Sequence, residues 1–369
     1  MIIMRCRTAT AEKTDARRKF SAYKRDAPKA VRQLHVEKGS ELEQYVVKVW
    51  DDNETSNPRL RPSWFYPKVF ELLNGLQITS KSINWFADRL IPLEDDENPS
   101  FSIRAGLFLS ALINGSKEES FDIIVPQLRK PIINLLYQNR KDVTLHGNVG
   151  KWFARQMQDG SANLHGDAGP YLGIEMAGGT VVTYGTVASV GHRQHGGKII
   201  VKGDMRPHSS IGTEMKGGEI TIENSLSQHT GMVGTHMQGG RISAGGSFSG
   251  EIARAMSGGE ISLSGRVIAN MGDDMGDGTI SLAGYCTAQV GIRQTGGKIH
   301  VDGSVNMAGC HMSGGIVEAG DIENPDFAHG MTGGVIYITD PVSDLDITLL
   351  RNKVQGGKIY LKGELIVDK

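Results

Sequence analysis

Three cysteines in 369 residues, Cys6, Cys286 and Cys310, lie too far apart for a disulfide framework or a Cys-x-x-Cys metal clip. Aromatic residues make up only 6% of the chain, so its core has to be aliphatic. Twelve prolines and no three-residue glycine period exclude collagen. No run of about 18 apolar residues exists that could form a membrane-spanning helix. Met1-Ile2-Ile3-Met4 is too short for a signal-peptide core, and charged residues come directly after it. Neither sign of charge dominates: 40 Lys and Arg against 41 Asp and Glu leave a net charge of −1. That balance gives no global electrostatic reason to bind nucleic acid or an anionic membrane. The expectation is a soluble, cytoplasmic protein with reduced thiols.

Glycine is abundant, with 48 residues, and unevenly placed: residues 1–140 hold very little of it and residues 147–363 hold most. The chain therefore divides near 140. The first 32 residues carry ten basic side chains, from Arg5 to Arg32, against Glu12, Asp15 and Asp26. Residues 1–57 read as a basic, partly disordered arm. Residues 58–140 read as a small, mostly α module that also caps the first turn of the glycine-rich region. Apolar spacing near 3.6 marks Trp64 to Leu76 and Ile83 to Leu90 as helical, and further elements are expected over Phe101 to Asn114 and Ile123 to Tyr137.

Residues 141–369 are repetitive. Glycine pairs recur at Gly178-Gly179, Gly196-Gly197, Gly217-Gly218, Gly239-Gly240, Gly258-Gly259, Gly296-Gly297, Gly314-Gly315, Gly333-Gly334 and Gly356-Gly357. Asp159-Gly160 and Asp277-Gly278 fill the two gaps, and the eleven positions lie 18 to 23 residues apart, most often 19. Three residues after the first member of each pair comes Ile or Val (Val181, Ile199, Ile220, Ile242, Ile261 and so on), with Ala162 the exception. A second apolar residue often comes two positions later, which is the alternation of a half-buried strand. Two residues before the pair stands Met157, Met176, Met215, Met237, Met256, Met275, Met312 or Met331, and five before it seven coils have glycine. The consensus is G-x-x-M-x-G-G-x-I-x-V-x-G.

A 19-residue turn with one strand cannot bury its apolar face alone; stacking turn on turn buries it continuously. Glycine pairs supply the left-handed corners, and the methionines would stack as a flexible ladder inside. This predicts a mainly β fold, a parallel β-helix of about eleven coils. Variable coil length and the absence of aliphatic-glycine hexads favour a right-handed one.

Three stretches then resemble a known family: Leu145-His146-Gly147-Asn148-Val149-Gly150, Leu164-His165-Gly166-Asp167-Ala168-Gly169-Pro170-Tyr171-Leu172-Gly173 and Glu175-Met176-Ala177-Gly178-Gly179. They look like the GXGXG-type β-helix. That domain forms the C-terminal part of the glutamate synthase large subunit. It also forms the β-helical subunit of formylmethanofuran dehydrogenase and of the related formyltransferase/hydrolase complex. Gly330-Met331-Thr332-Gly333-Gly334-Val335-Ile336-Tyr337-Ile338 resembles the glutamate synthase version most. The resemblance covers residues 140–363 and implies a non-catalytic scaffold that packs against other protein subunits. It implies that any FMN, iron–sulfur or molybdopterin cofactor sits on those partners and none on this chain. Cys6 comes after Met4-Arg5, so it is not a processed N-terminal nucleophile. Residues 1–140 are too short for an FMN barrel and hold no cysteine cluster.

Among candidate reactive groups, His192 and His195 are the best metal pair, but a site needs three or four converging ligands. His208, His229, His236, His311 and His329 sit at similar corners and read as turn residues. Asp273, Asp274 and Asp277 cluster in one coil, yet neighbours on a strand point opposite ways, so turn chemistry is favoured over acid/base catalysis. No catalytic, cofactor-binding or metal residue is assigned, and the glycine pairs are structural turns. Intrinsic enzyme activity is therefore not expected. Competing readings are a stand-alone β-helix enzyme acting on carbohydrate and a left-handed acyltransferase trimer. Homo-oligomerisation is left open. Replacing Ile261 by Asp should bury an unpaired charge, destabilise the array by more than about 3 kcal/mol and lower its melting temperature. An unchanged melting curve would place Ile261 on the outside.

Overall fold

The computed structural model describes residues 40–369, apart from 56, 58–59, 96, 230, 342–346 and the side chains of 228 and 229. The basic stretch Arg5 to Arg32 lies outside the described residues. Tyr45–Lys369 forms one compact unit.

Helical structure begins earlier than the sequence pattern suggested. The stretch read as a basic, partly disordered arm, residues 1–57, contains the helix Glu41–Asp52, which buries Val46, Val49 and Trp50. Trp50 is the reason: its ring meets Phe86, Phe101 and Phe108 edge-on at 5.7, 5.9 and 5.2 Å. Most of the large aromatic core is concentrated here, in the helices Pro62–Leu73, Ser80–Leu90 and Phe101–Gly115. Thr79 caps the third of these four by accepting from the Ser82 amide.

The stack also starts earlier than residue 141. Strand Ser120–Ile124 pairs in parallel with Asp142–His146, and that strand with Ser161–His165. Residues 123–137 are thus a strand end leading into an open turn, not a helix. Pro126 and Pro131 break any helical hydrogen-bond run. Leu136, at φ 60°, makes the left-handed corner where later coils use Gly173 and Gly191, and Asn134, also at φ 60°, makes the one that Trp152 and Tyr171 repeat.

From there about twelve parallel coils form a β-solenoid. One column of inward residues runs in unbroken register through Val181, Ile199, Ile220, Ile242, Ile261, Ile280, Ile299, Val317, Ile336 and Ile359. Isolated parallel bridges, such as Val187 with Met205 and Val233 with Ile252, carry the other sides of each coil. All eight methionines of the repeat are fully buried. At about 1.5–3 kcal/mol for each fully buried aliphatic side chain, the inward columns dominate stability.

Two interlocks explain the consensus. A Cβ on Gly234 would collide with Ile261 Cδ1 of the next coil, so the glycine five positions before the pair makes room for the next isoleucine. A Cβ on Gly259 would come within 2.7 Å of Met237 Cε from the coil before, at a φ of 93° that disfavours side chains. Gln194 and Gln294 occupy the methionine column in two coils. Both are fully buried. Their Nε2 atoms donate to the carbonyls of Gly196 and Gly197 at 3.0 Å each, and of Gly296 and Gly297 at 2.9 and 3.1 Å.

Both ends are closed. Strand Ser120–Ile124 would expose an unpaired edge, but helix Ser80–Leu90 covers it with side chains. Asn84 Nδ2 donates to the Asp122 carbonyl at 3.0 Å, and Asn84 Oδ1 accepts from the Ile124 amide at 2.8 Å. Ser80 Oγ accepts from the Asp122 amide at 3.0 Å. At the other end Glu364–Asp368 folds back antiparallel onto Gly356–Leu361. Arg351, in helix Ile347–Lys353, donates to the Ile366 carbonyl at 2.9 Å. An Asn84→Ala variant loses two edge bonds. It should cost about 1–2 kcal/mol in a urea titration and increase light scattering through edge pairing. If neither changed, the helix would not be what closes this end.

Candidate functional site

Nearly every coil holds a third left-handed corner, three positions before the glycine pair, and here the residue is rarely glycine. Gln156, Glu175, Arg193, Glu214, His236, Asp274, Arg293 and His311 all adopt φ between 52° and 57°. Strain of about 1 kcal/mol at each is offset because the amide bonds across coils, as Glu175 does to the His192 carbonyl at 3.0 Å. Their side chains form an external polar column.

Within that column the chemistry is paired from coil to coil. Gln138 Nε2 donates to Gln156 Oε1 at 3.2 Å, and Gln156 Nε2 to Glu175 Oε2 at 2.8 Å. Arg155 reaches the same carboxylate oxygen at 3.3 Å, and Arg193 Nε donates to Glu214 at 2.8 Å. Partial burial pushes the Glu175 carboxyl up, but Gln156, Arg155 and Arg193 outweigh it and hold it below its ordinary value. The Arg193 hydrogen bond likewise holds Glu214 down.

Two residues further on, a parallel column presents Gln158, Ala177, His195 and Lys216. Between the two columns lies a groove of about 720 Å3, lined by Gln138, Gln156, Gln158, Glu175, Ala177, Arg193, His195 and Lys216.

The sequence candidates separate. His195 lines this groove. His192 does not; it lies half-buried with its ring 5.8 Å from that of Tyr171, and burial lowers its pKa. His236 and His311 belong to the left-handed column, and the His329 ring meets that of His311 at 5.6 Å. His208 is a separate left-handed turn residue, and the His229 side chain lies outside the described residues. Among the described residues no group of three or more His, Cys, Asp and Glu side chains could hold a metal ion.

The three aspartates also part. Asp274 pairs with Arg293 at 2.6 and 2.9 Å, which holds its carboxyl below the ordinary range. Asp277 accepts from the Gly278 amide at 2.7 Å, as a turn residue does. Asp273 accepts from Asn270 at 3.1 Å, and burial pushes its carboxyl up. Burial also raises both described thiols, Cys286 to about 11.

A second external column was not anticipated. The rings of His146 and His165 stack at 5.2 Å, and His165 on Tyr184 at 4.5 Å and 5°. Lys202 Nζ lies 5.5 Å from the Tyr184 ring centre. The 19-residue recurrence of Leu-His-Gly was the signal for it. Strand-borne pairs, Lys198 with Glu219 at 2.9 Å and Arg241 with Glu260 at 2.8 Å, complete the surface. Exposed pairs of this kind each add less than about 1 kcal/mol.

Compared with family models, curated proteins and solved structures, the chain matches none. No described helix is long and apolar enough to cross a membrane.

Asp273 yields a signed pH dependence. Its folded-state pKa lies above the unfolded value, so its contribution is complete below the ordinary carboxylate range and is lost as pH rises through the raised value. Asp273→Asn should therefore melt higher relative to the parent above that window, and the gain should vanish in acid. A melting-temperature series against pH checks this; a gain independent of pH would assign it to another cause.

Proposed function

We propose that the solenoid is a non-catalytic scaffold or interaction subunit, like the GXGXG β-helix of glutamate synthase-type amidotransferase complexes. The supporting observation is a stack of about twelve coils whose inward column pairs from coil to coil without a break, closed at both ends, so that its sides are left as the broad surfaces for other subunits. Such a body holds distant groups at fixed spacing, because each coil is locked to the next by both side chains and backbone. The motif stretches that carry the resemblance lie in neighbouring coils, with His146 over His165 and Asn148 accepting from the Asp167 amide at 2.8 Å. The setting is cytoplasmic, and FMN or iron–sulfur chemistry belongs to the partner chains. The β-helical subunit of a formylmethanofuran dehydrogenase or formyltransferase/hydrolase complex has the same mechanical role, with molybdopterin on a partner.

Purification of the tagged full chain from its native host should give a stoichiometric complex with enzyme subunits that hold FMN, iron–sulfur or molybdopterin groups, and the isolated chain should turn nothing over. An amidotransferase and FMN synthase pair would select the first setting, and formyl-transferring subunits the second. Reproducible glycan cleavage by the isolated chain would overturn the scaffold reading.

A further inference from the structure

We propose that the groove over Ala177 binds a small oxyanion, a carboxylate or phosphate of about amino-acid size. Three donors on it have no partner among the described residues. Arg140 Nε donates to Gln158 Oε1 at 2.7 Å and a second guanidinium nitrogen reaches the same oxygen. That clamp turns the Gln158 amide so that its NH2 is the free end. The His195 ring two coils along and the Lys216 ammonium three coils along are likewise unpaired.

The carboxylates that could neutralise these donors are already engaged. Glu175 is held by Gln156 and Arg155, and Glu214 by Arg193. Arg140 donates only to a neutral amide, so its charge is also uncompensated. Counting the groove and its direct partners, Arg140, Arg155, Arg193 and Lys216 against Glu175 and Glu214 give four minus two, a local charge of +2. The chain as a whole is near neutral, so this excess is local.

Shape agrees with charge. Of the four residues this column presents to the groove, Ala177 is the small one, between Gln158 in the coil before and His195 in the coil after, and its short side chain leaves the hollow. An oxyanion seated there would accept from Gln158 Nε2, His195 and Lys216 at once, charge-assisted bonds that an isolated surface lysine cannot supply. A cationic ligand would find no free carboxylate.

The inference is independent of the scaffold reading, and complex formation is expected to survive its loss. Titration calorimetry of the full chain with succinate and with inorganic phosphate, at constant ionic strength set by chloride, tests it. Saturable binding of at least one is expected, and whichever binds tighter identifies the carboxylate or phosphate source. A His195→Ala/Lys216→Ala variant should bind about tenfold more weakly, with its ligand-free melting temperature unchanged because both side chains are exposed and unpaired. Arg140→Gln, which frees the Gln158 amide to rotate, should weaken binding by less. Absence of saturable binding by either anion would overturn the proposal, as would equal affinity in the double variant.

Discussion

Each coil of this protein obtains its hydrogen-bond partners and its apolar cover from the coil on either side. That dependence on the next turn governs everything else. A strand such as Lys198–Val201 is four residues long and could not persist alone, yet it is held between Thr180–Thr183 and Glu219–Ile222. The side chains reinforce the same direction. An isoleucine fills the hollow beneath a glycine of the preceding coil, and a methionine reaches forward to the glycine of the next. A change at one rung is therefore felt by its neighbours first, as expected of a one-dimensional array.

An array of this kind has a problem only at its ends. The helical module solves one of them by chemistry that imitates a strand: Asn84 supplies an acceptor and a donor where the next coil would have been. Helix Phe101–Gly115 lies against the first turn closely enough that a Cβ on Gly106 would collide with the Ile133 carbonyl. Ser110 and Asn114 bond that turn at Asn134 and Tyr137. The C-terminal hairpin, with Arg351 on its outer edge, closes the other end.

On the outside, the same stacking turns single residues into columns. Repetition brings Gln138, Gln156, Glu175, Arg193 and Glu214 into a line with their polar groups shared. The stack from His146 to Tyr184 arises the same way. Where neighbouring columns differ in size, as at Ala177, a groove opens. Its chemistry depends on which coil contributes which residue.

Periodicity alone determined the stacked fold, the inward isoleucine and methionine columns and the glycine corners, because a pattern that recurs every 19 residues needs no knowledge of distant contacts. It also separated Asp277 as a turn residue. The helix Glu41–Asp52 and the strand Ser120–Ile124 were hidden, since each is defined by what it packs on: Trp50 by a cluster from three other helices, and Phe121 by Val143 one coil away. The left-handed column was hidden as well. Its residues share a backbone conformation and not a residue type, so Glu175 and Arg193 read as ordinary surface charges. Only the tertiary structure decides that His195 and Lys216 share a groove while His192 turns to Tyr171, because coils of 18 to 23 residues do not superpose by counting. Their register is set by hydrogen bonds between coils.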